Sequence, residues 1–236
     1  MNNRKIVEIN NVGMNYHTLD GETVALKEIT LDIFHGEIVV LVGPSGCGKS
    51  TLLSIIAGLI KPTKGSVRIN NKEVKGTSKD IGYMFQRDHL FEWRNILDNV
   101  LIGLEIQNKV NNETRAFAEK LLDTYGLSEF KKHYPRQLSG GMRQRVALIR
   151  TLAVQPKILL LDEPFSALDY QTRLAIADEV GSILKQEKKT ALMVTHDIAE
   201  AMCLKKLNIL LLVLFYSYSS NFELWNFSNW IYFWIY

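Results

Sequence analysis

The chain opens on short runs of strand length. "KIVEINNVGMNY", "ITLDIF" and "GEIVVLVG" read as strands from their alternating or continuous apolar positions, and "GSVRINNKEV" reads as a hairpin turning at Asn70 and Asn71. From Asn95 to Ala153 the period lengthens. "NILDNVLIGLEIQ" and "NETRAFAEKLLDTYGL" space their apolar residues as helices do, and a third helical stretch follows Gly126 and Pro135, with Met142, Val146 and Ile149 three to four residues apart. Strand and helix then alternate. "KILLLDEP" is nearly all apolar and ends in acids, as a buried parallel strand does, and a long helix to about Lys188 precedes the strand "TALMVTH". The pattern predicts an α/β chain: a parallel-sheet core, an N-terminal antiparallel β layer, and an α-helical subdomain inserted at about residues 87–155.

Composition narrows the class only a little. The 236 residues suffice for a sizeable interior, as one large domain or as a core with an insertion, and a net charge of +3 from 28 basic and 25 acidic residues without a basic block gives no reason to expect nucleic acid. Cys47 and Cys203 have no zinc or disulfide spacing, which fits a reducing cytosol. The N-terminus lacks the apolar core of a signal peptide, and nothing before Cys203 approaches the roughly 20 apolar residues of a membrane span.

The strongest chemical signal is "GPSGCGKS", Gly43 to Ser50, which satisfies G-x-x-x-x-G-K-[ST] between the strand "EIVVLV" and the helical "STLLSIIAGL". Its residues suit a nucleotide triphosphate. In the loop Gly43, Pro44, Ser45, Gly46, Cys47, Gly48 the glycines leave the backbone N–H groups of the non-proline residues free to wrap the β-phosphate, Lys49 sets a charge between the β- and γ-phosphates, and the Ser50 hydroxyl, followed by Thr51, reaches Mg²⁺. Cys47 is expected to be a small residue that fits the loop, with a redox switch as the alternative. The expectation is a parallel-sheet nucleotide fold.

Two acids end the strand "ILLLDEP". Asp162 is placed to hold Mg²⁺ directly or through water, and Glu163 to polarise a water toward the γ-phosphate, a solvated strand end being the bland alternative. Thirty-three residues on, another strand delivers His196 to the same sheet edge, whereas His17, His35, His89 and His133 are expected to be structural. A second anion site is written into "QLSGGMRQRV". Ser139, Gly140 and Gly141 open a helix whose free N–H groups and dipole favour an anion, yet no lysine stands in the loop.

Taken in order, "GPSGCGKST", "MFQRDHLFEWRNILDNV", "QLSGGMRQR", "LLLDEPFSALD" and "THD" resemble the ATP-binding subunit of an ABC transporter over about residues 4 to 203. The resemblance implies a P-loop NTPase core of RecA-like type, ATP and Mg²⁺ as cofactors, and a head-to-tail dimer of ATP-binding subunits, in which each "LSGGM" caps the γ-phosphate held by the partner's P-loop. It makes Gln86 a glutamine that senses Mg²⁺ and the attacking water, Asp169 an acid that crosses the dimer interface, His196 a switch histidine, and Tyr16 an aromatic that stacks on adenine, with plain packing as the alternative for Tyr16. It further implies a transmembrane permease docked in a groove beside Gln86, an extracytoplasmic substrate-binding protein reached through it, and a peripheral place on the cytoplasmic face of the membrane.

"FEWRNILDNV" puts Trp93 where importers of nitrate, sulfonates and taurine commonly carry an aromatic, so the chain resembles that group; core packing in the helical insertion is the alternative for Trp93. Two rivals remain: an ABC ATPase acting outside transport, and a defective remnant that binds ATP without supporting transport. The second draws on the tail. Eleven of the 23 aromatics fall in residues 204–236, where only Lys205, Lys206 and Glu223 are charged, and nothing there matches the usual family continuation. The run Leu207 to Tyr216 could form a strand but is too short for a span. The expectation is a reading-frame shift near Met202 to Lys205, with poor solubility and lowered activity, to be decided by sequencing across those codons.

Overall fold

The computed structural model describes residues 4–18, 21–166, 168–186, 189–204, 209–216 and 222–226. Four strands come first: β1 (Lys5–Thr18), β2 (Gly21–Phe34), β3 (Ile38–Val42) and, after α1 (Lys49–Ile56), β4 (Lys64–Ile69). Next come β5 (Lys72–Glu73) and β6 (Ile81–Met84), then the helices α2 (Ile96–Ile106), α3 (Asn112–Thr124) and α4 (Gly140–Ala153). The chain returns to alternation through β7 (Ile158–Asp162), α5 (Tyr170–Gln186), β8 (Thr190–Thr195), α6 (Ile198–Leu204), β9 (Ile209–Tyr216) and β10 (Phe222–Asn226).

Two sheets result. An antiparallel sheet runs β2-β1-β4-β5, and a second runs β10-β9-β3-β8-β7-β6, parallel except for the β9 and β10 pair. The central strands IVVLV, ILLLD and TALMVT are buried at every position, which is why they read as continuous apolar runs. Their side chains divide by parity. Val39, Leu41, Leu160, Leu192 and Val194 enter a core shared with α1 and the antiparallel sheet, while Val40, Leu159, Leu161, Ala191 and Met193 enter a core shared with α2, α3, α4 and α5. Each fully buried Leu or Val contributes about 1.5–3 kcal/mol by leaving water. The sheet is thereby clamped on both faces, so the ends of β3, β6, β7 and β8 form a rigid rim.

Local chemistry sets the element ends. Asn70 and Asn71 take φ of 50° and 63°, as a two-residue hairpin turn with both central residues left-handed requires. Asn95, Asn111 and Ser139 each cap a helix by accepting an N–H three residues on, from Asp98 at 2.8 Å, Thr114 at 2.8 Å and Met142 at 3.3 Å. Each cap is worth about 1 kcal/mol.

One expectation changes, one alternative falls away, and one boundary lies beyond the described residues. The second strand starts at Gly21, eight residues before "ITLDIF", because pairing with β1 holds an exposed, mostly polar edge that has no apolar alternation to show. Trp93 is 75% exposed, its ring 5.0 Å from that of Phe91, so it is not core of the insertion. Helix α5 is described to Gln186, and residues 187–188 lie outside the described residues. The run Leu207 to Tyr216 does supply a strand, β9, parallel to β3, while 205–208, 217–221 and 227–236 of the tail lie outside the described residues. Among the described residues no helix is long and apolar enough to cross a membrane.

Candidate functional site at the carboxyl rim of the parallel sheet

The loop between β3 and α1 wraps tightly. Gly46 and Gly48 take φ of 82° and 91°, and a Cβ on Gly48 would lie 2.4 Å from the Ala25 carbonyl oxygen of β2. Both the conformation and the space exclude a side chain at Gly48. Gly48→Ala is expected to destabilise the protein by about 1–3 kcal/mol, read as a lower urea midpoint; an unchanged midpoint would mean that the loop relaxes freely. Pro44, Ser45 and Gly46 form an exposed rim, whereas Cys47 is only 2% exposed beneath it. The buried position agrees with Cys47 as a small residue that fits.

Lys49 is 5% exposed, and its Nζ donates to the Gly43 and Pro44 carbonyls at 2.7 and 2.8 Å. A buried ammonium is thus aimed along the loop. The Cys47 N–H turns back to Pro44 O at 3.4 Å and the Leu52 N–H reaches Gly48 O at 2.9 Å; between them, the first-turn N–H groups have no carbonyl of their own helix to bind. A cationic Nζ, a nest of N–H groups and an open rim fit a polyphosphate.

Opposite stand the acids. The Ser50 hydroxyl donates to Asp162 Oδ1 at 3.0 Å, and Asp162 is 4% exposed. Burial is the main force raising the Asp162 pKa above the ordinary carboxylate range, Glu163 adds to it, and Ser50 and Lys49 oppose it. A hard cation would relieve that strain, and these oxygen donors suit one such as Mg²⁺.

Glu163 is held from every side. Its φ of 46° is left-handed, which costs a non-glycine residue about 1–3 kcal/mol and persists only where the surroundings enforce it. Its N–H donates to Val194 O at 3.0 Å, its carbonyl accepts from Gln144 Nε2 at 3.1 Å, and its Oε2 accepts from Gln86 Nε2 at 3.0 Å and lies 3.2 Å from His196 Nδ1. The ends of β6, β7 and β8 therefore bring Gln86, Glu163 and His196 to one point. Asp169 caps α5 by accepting the Thr172 N–H at 3.0 Å, and this bond holds its pKa below the ordinary value. Tyr16 is 41% exposed on β1, at the pair with Thr23.

Ser139, Gly140 and Gly141 start α4, and a Cβ on Gly140 would meet nothing within 4 Å. Beside them a cleft of about 400 Å³ runs between Gln86–His89 and Arg143. Several residues that build the site escape a reading by motif. Arg150 donates to His89 O at 2.7 Å and Asp88 O at 2.6 Å, Arg173 joins Asp197 Oδ2 and Leu168 O at 2.9 Å each, and the fully buried Asn99 amide closes the Phe91–Asn95 turn. Asn99 and Gln144 carried one available signal: each is polar at a helix position with an apolar residue three places on, Ile102 and Ala147.

The comparisons agree with this geometry. Residues 26–166 match the ABC transporter family. An ABC transporter ATP-binding protein of Bacillus subtilis is 49% identical over 198 residues, 84% of this chain and 76% of the relative. A taurine import ATP-binding protein of Yersinia pestis is 45% identical over 76% of this chain and 71% of its own, and a nitrate import ATP-binding protein of Synechocystis is 46% identical over 78% and 69%. A dimeric ATP-binding cassette in a post-hydrolysis state, bound to ADP and Pi, superposes with a TM-score of 0.78 at 36% identity, covering 87% of this chain and 94% of that one. The match covers well over half the length, and the chain belongs to the ABC transporter family as one of its ATPase cassettes.

Proposed function

We propose that this cassette drives an importer of small anionic or organic solutes of the nitrate, sulfonate and taurine type, and that its hydrolytic site consists of Lys49, Ser50, Asp162, Glu163, Gln86 and His196. The observation that carries the reading is the meeting of Gln86, Glu163 and His196 beside the Ser50 to Asp162 contact. ATP with Mg²⁺ supplies a phosphoanhydride whose charge the cation neutralises. Ser50 and Asp162 would hold the cation, and Lys49 with loop N–H groups between Ser45 and Thr51 would fix the phosphates. Glu163 takes the proton of the attacking water, and His196 and Gln86 keep its carboxylate aimed.

Surfaces of the protein and the names of its relatives support the proposed partners. Ser139, Gly140 and Gly141 present a helix start to open space, which suits the nucleotide of a second copy in a head-to-tail dimer, with Asp169 near the same interface and Tyr16 on adenine. Exposed Trp93 and the cleft beside Gln86 suit a helix of a membrane permease, which would seat the cassette on the cytoplasmic face and link it to a substrate-binding protein outside. Two measurements test this. Purified chain should release phosphate from ATP with Mg²⁺ and stop when the cation is chelated; release that ignores chelation overturns the roles of Ser50 and Asp162. Vesicles carrying the cognate permease and supplied with its substrate-binding protein should take up taurine, an alkane sulfonate or nitrate only with ATP and this chain, and ATP-driven uptake of none of them overturns the solute class.

A further inference from the structure

Gln144 is 4% exposed on α4, on the face it shares with the buried Leu148 and Thr151. A primary amide in that setting must be bonded or it destabilises the fold. Its Nε2 donates to Glu163 O at 3.1 Å and to Ser166 Oγ at 3.2 Å, so it grips the left-handed peptide from which the Glu163 carboxylate projects. The side chain lies five residues, a rise of about 7.5 Å, from the cap Ser139. The other flank of α4 is tied down as well. Arg143 pairs with Asp88 at 3.3 Å and Arg150 holds the Asp88 and His89 carbonyls, fixing the segment that carries Gln86. One rigid helix therefore spans the signature, the Gln86 segment and the Glu163 turn.

We propose that Gln144 is a positioning residue: from the helix that opens with Ser139–Gly141 it holds the left-handed turn, and so the aim of the Glu163 carboxylate, of its own subunit and not of the subunit whose nucleotide that helix caps. The inference rests on the signature being shared between subunits. Its physical content is narrow. A left-handed non-glycine peptide relaxes when its hydrogen bonds go, and a carboxylate swung from Gln86 and His196 no longer aims a water, while the P-loop and the phosphate contacts are untouched.

The test uses two heterodimers with the same two substitutions, differently distributed, made from differently tagged full chains. In the first, Gln144→Met is on one subunit and Lys49→Ala on the other, so the only intact P-loop sits with the altered position 144. In the second, both substitutions share one subunit, and the intact P-loop keeps its own Gln144 while taking its signature from the altered α4. The kcat of the first should fall at least about tenfold below that of the second, with KM for ATP within about threefold. Equal values, or a slower second heterodimer, would mean that Gln144 serves only the shape of α4 and would overturn the proposal. If the Met form does not fold, Gln144→Asn, which keeps the amide but falls a methylene short, carries the same comparison. Failure of signature sharing registers separately, as no recovery when Ser139→Arg and Lys49→Ala subunits are mixed.

Discussion

Glu163→Gln is expected to lower steady-state ATP turnover by about 100-fold or more, because removal of a general base forfeits a factor of about 10²–10⁴. That factor corresponds to at least about 2.7 kcal/mol of transition-state stabilisation. Binding should survive. The Glu163 side chain contacts Gln86 and His196, whereas the buried ammonium and loop amides that fit the phosphates lie on Gly43 to Ser50. Glutamine keeps the length of the side chain and one acceptor oxygen, so the left-handed turn held by Gln144 and Val194 is expected to persist. The variant should trap ATP in a dimer that forms and does not turn over. Lys49→Ala behaves in the opposite sense, weakening ATP binding itself. Single-turnover kinetics beside a direct binding titration separates the two, and a Gln variant with turnover within about threefold of the parent would falsify the role given to Glu163.

The legible parts of this protein are those in which spacing is itself the chemistry. A turn of backbone N–H groups and one lysine suited to phosphates need G-x-x-x-x-G-K-[ST] in that order, so Gly43 to Ser50 is legible without a fold. Buried parallel strands announce themselves as well, since "IVVLV" and "ILLLD" have no polar face to hide. Elsewhere the cause is tertiary and the sequence is quiet. The first half of β2 is a strand because β1 lies beside it, and its own residues carry no alternation. Glu163 could be read as an acid at a strand end, but its left-handed φ follows from bonds to Val194 and Gln144, 31 residues after it and 19 before it. Gln144 itself sits inside the motif "LSGGMRQR", whose spacing speaks for the glycines and not for the buried amide that donates to the Glu163 carbonyl. Trp93 could have been core of the helical insertion on periodicity alone; the Asn99 amide closes the Phe91–Asn95 turn, and the residue is 75% exposed, which removes that alternative.

Mixing a Ser139→Arg subunit with a Lys49→Ala subunit is expected to restore ATPase activity that neither has alone. The reasoning follows the symmetry of a two-fold dimer, in which each nucleotide would lie between one chain's P-loop and the other's signature. In a Ser139→Arg homodimer both sites carry a bulky cation at the helix cap that should accept from Met142, and in a Lys49→Ala homodimer both lack the ammonium beside Gly43 and Pro44. In the heterodimer the two defects fall on the same nucleotide. The other site combines an intact Lys49 with an intact Ser139, so an equal mixture with free exchange should reach up to about a quarter of parental activity, half the dimers being mixed and each having one working site of two. Cooperation between the sites lowers that figure without abolishing the gain. Co-purification through two different tags establishes that heterodimers are present, and phosphate release measured on that fraction alone should reach up to about half of parental activity, one site of two. Activity above both parents supports sharing in trans. Demonstrated heterodimers that stay as inactive as either homodimer mean that Ser139, Gly140 and Gly141 serve a ligand of their own chain, and the open space around Gly140 then needs another occupant.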